Sequence, residues 1–139
     1  MMYHLLSFFL KLLSCIPFKV LYVLSDGLFY VLYYVIRYRR RIVRKNLTES
    51  FPEKSEQEIL KIEKNFYRYF TDQVLESCKM TTISPEEISS RMKFTNVEAA
   101  DAVLKTGKSI ALYMGHYGNW EWVSSIPLCL GKEVRAVQI

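Results

Sequence analysis

The sequence has little of what most site chemistries require. Its three cysteines, Cys15, Cys78 and Cys129, lie far apart and are odd in number. They offer neither metal-ligand spacing nor a disulfide framework, which fits a reducing compartment. Cys129 falls in an apolar segment and reads as a small core residue rather than a nucleophile. The two histidines are His4 and His116; His4 belongs to the hydrophobic amino-terminal stretch, and without a His-Glu-x-x-His spacing a metal-dependent hydrolase is a weak reading. No hydroxyl or thiol is placed as a nucleophile beside His116. There is no internal repeat and no low-complexity tract. The amino terminus lacks a charged start and a small-residue cleavage site, which argues against a secretory signal peptide. It also lacks a clean run of about 20 apolar residues: Met1–Ile36 is interrupted by Lys11, Lys19 and Asp26 and divided by Pro17.

The chain is nonetheless strongly apolar and aromatic. Half of the 139 residues are hydrophobic and ten are tyrosines. Residues 1–36 read as a hydrophobic membrane anchor, for which a single tilted span, or two helices lying in or re-entering the membrane, both fit. Residues 37–52 form a basic juxtamembrane connection. Arg37, Arg39, Arg40, Arg41 and Arg44 cluster there, and by the positive-inside rule this end and the residues after it are cytoplasmic. The same arginines would hold anionic lipid headgroups, at about 1 kcal/mol each. Tyr22, Tyr30, Tyr33, Tyr34 and Tyr38 are suited to the membrane interface.

Residues 53–139 read as the front part of a larger domain. Ser55 with Glu58 forms a capping box, and a helix is expected from there to about Lys79. Ile59, Ile62, Phe66, Phe70, Val74 and Cys78 step by three and four and are assigned to its buried stripe. Ser84, followed by Pro85, caps a short helix. Met92–Thr95 is expected as a strand, Asn96 as the cap of a helix through Lys105, and Gly107 as its stop. Ser109–Met114 and Val134–Gln138 then read as buried strands around a helix that starts at Asn119 and is kinked or ended by Pro127. Strand, helix, strand at this spacing predicts an α/β fold, with a parallel-containing sheet flanked by helices. Such a small sheet would leave an edge and a face uncovered, so an incomplete domain is expected.

The chemistry concentrates in His116-Tyr117-Gly118-Asn119-Trp120-Glu121-Trp122. Gly115 and Gly118 let the backbone turn sharply and approach a substrate closely. Asn119 is a good N-cap, leaving backbone N–H groups free at the helix start. The His116 imidazole can take a proton near neutral pH, and Glu121, five positions later, can fix its tautomer and stabilise the imidazolium. Oriented N–H groups and the positive helix end suit a developing oxyanion. These parts fit direct acyl transfer to a hydroxyl. Alone, a histidine and a glutamate at this spacing form a weak pattern.

With these residues in view, the chain resembles the lipid A biosynthesis (lauroyl/myristoyl) acyltransferase family, within the wider glycerolipid acyltransferase superfamily. The resemblance runs through the hydrophobic anchor, Tyr38–Leu47, Ser50-Phe51-Pro52, the helix ending near Glu76 and Gly107-Lys108-Ser109. Its most specific part is His116–Trp122, which matches the family's His-x4-Asp/Glu signature with its Gly-Asn-Trp interior. The resemblance implies a glycerolipid-acyltransferase-like domain behind a bacterial inner-membrane anchor, with the site facing the cytoplasm. His116 would act as general base on a lipid hydroxyl, supported by Glu121, with Gly118, Asn119 and Trp120 contacting substrate. It implies acyl carrier protein as the acyl donor and a lipid A precursor or related glycolipid as the acceptor. No metal, cofactor or nucleic-acid partner is implied. Family members are longer, and their later blocks contribute further acceptor-binding residues. The competing reading is a non-catalytic membrane-anchored fragment whose basic collar and aromatic helix bind lipid or a partner.

Overall fold

In the computed structural model, which describes residues 2–130, the chain divides into two compact units, with the boundary between Lys79 and Met80. Each is described separately.

The first unit is helical throughout. Helix α1 (Met2–Ser14) ends before Pro17, and α2 (Phe18–Tyr30) continues without a break into a π-helical turn, Val31–Val35. Together Phe18–Val35 is long and apolar enough to cross a membrane. The π turn is closed by the Ile36 N–H donating to the Val31 carbonyl at 2.8 Å, a reach of five residues. Arg37 and Arg39 then adopt left-handed backbone, with φ of 56° and 51°, and the chain re-enters a helix as α3 (Arg40–Ser50). Helix α4 (Glu56–Lys79) is the longest element, and α1, α2 and α3 all pack against it.

The capping box forms as expected at the start of α4. The Ser55 N–H donates to Glu58 Oε2 at 2.9 Å, and the Ser55 hydroxyl reaches the same oxygen at 2.8 Å. The inward row, however, is Ile59, Glu63, Tyr67, Thr71, Leu75 and Lys79, a strict four-residue step that alternates apolar and polar. Phe66 and Val74, assigned to the core from the sequence, are 42% and 39% exposed. The row is polar because its partners are polar. Thr71 returns its hydroxyl to the carbonyls of Tyr67 and Arg68, and Glu63 and Lys79 meet groups on other helices. Around Tyr67, the rings of Phe29 and Tyr33 and the side chain of Val43 complete the apolar core.

The second unit carries α5 (Pro85–Arg91), α6 (Val97–Leu104) and a 3-10 segment, Trp120–Leu128. Ser84 caps α5 as expected, accepting from the Glu87 N–H at 3.1 Å, with Pro85 in the first helical position. Asn96 precedes α6 in left-handed backbone and makes no side-chain cap. Gly107, at φ +79°, follows α6 and returns its N–H to the Leu104 carbonyl.

The expected parallel-containing sheet is not formed. Among the described residues there is no strand, and the fold is helical rather than α/β. Met92–Thr95 and Ser109–Met114 have no regular secondary structure, and Tyr113 is 93% exposed. A strand is defined by its ladder, and neither segment has a neighbouring strand among the described residues to complete one. Val134–Gln138 lies outside the described residues.

Candidate active site

The motif occupies the second unit, between an irregular approach and the 3-10 segment. The Tyr117 N–H donates to the Gly115 carbonyl at 2.9 Å, closing a tight turn around His116. Gly118 follows at φ +66°, in the left-handed region where a side chain is strained. Asn119 begins the 3-10 segment, and its carbonyl accepts the Trp122 N–H at 3.1 Å, although its side chain makes no capping bond. The turn therefore forms where the two glycines place it, and the helix begins where Asn119 predicts, but tighter than an α-helix. Ser124 and Ser125 donate their hydroxyls three residues back, to the carbonyls of Glu121 and Trp122. Pro127 inside the segment lacks an N–H for the ladder.

His116 is exposed, and its ring stands edge-on to Trp120, with centroids 4.4 Å apart and planes at 73°. A T-shaped contact of this kind restricts the imidazole. Trp122 is buried and Tyr117 projects outward at 94% exposure. Glu121 is half-buried. Among the described residues no hydrogen bond or ion pair joins His116 to Glu121. No group of three or more potential metal ligands occurs among the described residues.

The basic collar belongs to the first unit and divides into two sets. Arg37, Arg39 and Arg41 are exposed. Arg40 and Arg44 instead turn inward to Glu63, whose side chain is fully buried. Arg40 Nε donates to Glu63 Oε1 at 3.1 Å, Arg44 Nε donates to Oε2, and the Tyr33 hydroxyl donates to Oε1 at 2.9 Å. The Arg40 guanidinium also lies 4.1 Å over the Tyr33 ring. Burial pushes the Glu63 carboxyl up, but the hydrogen bonds from Arg44, Tyr33 and Arg40 outweigh it and hold the group below the usual glutamate value.

Lys79, in the last turn of α4, is a second buried charge; its spacing from Glu76 suggests an ion pair on the exposed side, but the structure turns it inward. Its ammonium donates to the carbonyls of Ser14 at 2.8 Å and Ile16 at 3.0 Å. It thus satisfies acceptors where α1 ends, at the negative pole of that helix. The one sequence signal for Glu63 and Lys79 is the four-residue step that each shares with Ile59 and Tyr67.

Comparison with protein families gives one result. The family match, rather than the geometry of the motif, assigns the chain to a class, that of the acyltransferases. The model of the bacterial lipid A biosynthesis acyltransferase family matches residues 1–132, and the chain belongs to that family. The family resemblance drawn from the motifs is therefore correct, and it implies an acyl donor and a lipid acceptor in general terms. No curated protein and no solved structure matches the chain.

Proposed function

We propose that the chain provides the amino-terminal catalytic part of a membrane-bound O-acyltransferase. The enzyme moves a fatty acyl group from the thioester of acyl carrier protein to a hydroxyl of a lipid A precursor or related glycolipid. The observation that carries this reading is the family match across residues 1–132, which includes the whole His116–Glu121 motif.

In this mechanism His116 removes the proton of the acceptor hydroxyl as its oxygen attacks the thioester carbonyl. The C–O bond forms, the carbonyl electrons move to oxygen, and an oxyanion develops. Backbone N–H groups at the start of the Trp120–Leu128 segment are the oriented donors for that charge. Collapse of the intermediate breaks the C–S bond, and the departing thiolate takes the proton from the imidazolium. Glu121 approaches His116 when substrate is bound, fixes its tautomer and stabilises its positive charge. Gly118 leaves room for the acyl carbonyl, while Asn119 and Trp120 contact the substrate.

The reaction takes place at the cytoplasmic face of the inner membrane. Residues 1–36 attach the chain there, residues 37–52 connect the anchor, and residues 53–139 belong to the acyltransferase domain. The net charge of +5 favours encounter with acyl carrier protein, an acidic donor, and the exposed Arg37, Arg39 and Arg41 favour anionic lipid.

The test is transfer of radiolabelled acyl chains from acyl carrier protein to a lipid A precursor in membranes containing the protein. His116→Ala should abolish transfer without changing expression or membrane association. Undiminished turnover in that variant would remove the proposed base and leave the non-catalytic reading.

A further inference from the structure

Phe18–Val35, helix α2 with its π turn, has two unlike faces. Phe18, Leu21, Ser25, Phe29 and Tyr33 are buried, whereas Val20, Leu24, Val31 and Val35 are exposed hydrophobics, Val35 at 75%. The buried face is joined to α4 at intervals along its length. Near its start Phe18 lies 5.6 Å from the Lys79 ammonium. The Tyr22 hydroxyl donates to Glu76 Oε1 at 2.7 Å, Arg68 lies 5.1 Å over the Phe29 ring, and Tyr33 ends the series on Glu63. As numbers rise along α2 they fall along α4, so the two helices run antiparallel in continuous contact.

Contact over the full length bears on how the apolar segment meets a bilayer. From Glu63 to Glu76, α4 extends roughly 20 Å, and it carries Arg68 and Asp72 between them. Arg68 is exposed. If α2 crossed a hydrocarbon core of about 30 Å, α4 would be carried across beside it, with an exposed arginine near mid-depth, where charge is strongly disfavoured. Lying along the surface removes the conflict. The outward apolar row of α2, with Leu5, Phe8 and Phe9 of α1 also exposed, then enters one leaflet while α4 stays on the aqueous side. Arg37, Arg39 and Arg41, exposed where the apolar segment ends, meet anionic headgroups at the same level.

We infer that Phe18–Val35 does not span the membrane but lies in the plane of one leaflet, with α4 as its water-facing cover and anionic lipid as its occupant. The inference rests on the reading of residues 1–36 as a membrane anchor, and the experiment separates the two. Cys15, Cys78 and Cys129 are replaced by serine, and nitroxide labels are attached singly at V20C, L24C, V31C and V35C in the full chain. Each variant is bound to vesicles of phosphatidylethanolamine and phosphatidylglycerol, and label depth is read from relaxation by oxygen against a water-soluble nickel chelate. Flotation of every variant with vesicles and four depths within about 5 Å of one another are expected, as for an interfacial helix. Labels at positions 20 and 35 on opposite sides of the bilayer, separated along its normal by roughly 20 Å, would overturn the in-plane arrangement and leave the anchor reading intact. Failure to float with vesicles would overturn both.

Discussion

The Tyr33 hydroxyl donates to the buried Glu63 carboxylate at 2.9 Å across thirty residues of sequence. That contact joins the end of the apolar segment to the interior of a polar helix. Arg40 and Arg44 complete the shell, so the carboxylate holds three elements of the first unit together: the π turn, α3 and α4.

Removing that carboxylate leaves two guanidinium groups without their acceptor. Glu63→Ala is expected to destabilise the first unit by roughly 2–4 kcal/mol, below the full value for a buried pair because both arginines are partly exposed. Chemical denaturation followed by circular dichroism measures it. A change under about 0.5 kcal/mol would show that the cluster is not structural.

The depressed Glu63 acidity gives the unit a pH dependence. The folded state holds this carboxyl below its unfolded value, so its stabilisation is complete above the ordinary glutamate value of about 4.3 and is lost as pH falls towards the folded one. Stability should therefore decline on acidification below that point, and Glu63→Gln should flatten that part of the profile. Equal acid sensitivity in wild type and Glu63→Gln would assign the effect to other carboxylates.

Lys79 holds the end of α1 through two carbonyls. Lys79→Met keeps the stem but removes the donor, and a cost of about 1–3 kcal/mol is expected for the buried acceptors left behind. The change should appear locally, as faster amide exchange in residues 2–16 with little effect across Glu56–Thr71. Uniform acceleration over the whole unit would contradict that assignment.

The collar arginines should separate by function. Replacing Arg37, Arg39 and Arg41 with glutamine should weaken binding to phosphatidylglycerol vesicles by about 1 kcal/mol per residue, with folding stability unchanged. Replacing Arg40 and Arg44 should do the reverse. Co-sedimentation and thermal melts on the triple- and double-substituted proteins distinguish the sets, and identical behaviour of both would refute the division.

At the motif, Glu121→Gln should lower acyl transfer by 10²–10⁴-fold, the usual range for a term in acid–base catalysis. Gly118→Ala should add about 1–2 kcal/mol of backbone strain at φ +66°, disturbing the turn that presents His116. Turnover within two-fold of wild type in both variants would place the chemistry elsewhere.

Signals that act within a few residues were legible in the sequence. The Ser55–Glu58 box, the Ser84-Pro85 start and the Gly107 stop each need only near neighbours, and each forms. The glycine turn before Asn119 is of the same kind. The buried row of α4 was misplaced for a different reason. Hydrophobicity selects Phe66 and Val74, yet Glu63 and Lys79 face inward because Arg40, Arg44 and the end of α1 wait there, tens of residues away. The apolar run Ser109–Met114 reads equally well as a buried strand when no partner is specified, and strand pairing is a property of two segments that one segment cannot declare. The relation of His116 to Glu121 has the same limitation, since spacing along the chain leaves their side-chain approach undetermined.

The π-helical turn at Val31–Val35 works as a phase correction. One additional residue in a helical ladder rotates everything downstream by about 100°. The wide turn absorbs that rotation, so excising a single residue there, Leu32 for example, would restore ordinary winding and leave the chain after it in its present phase.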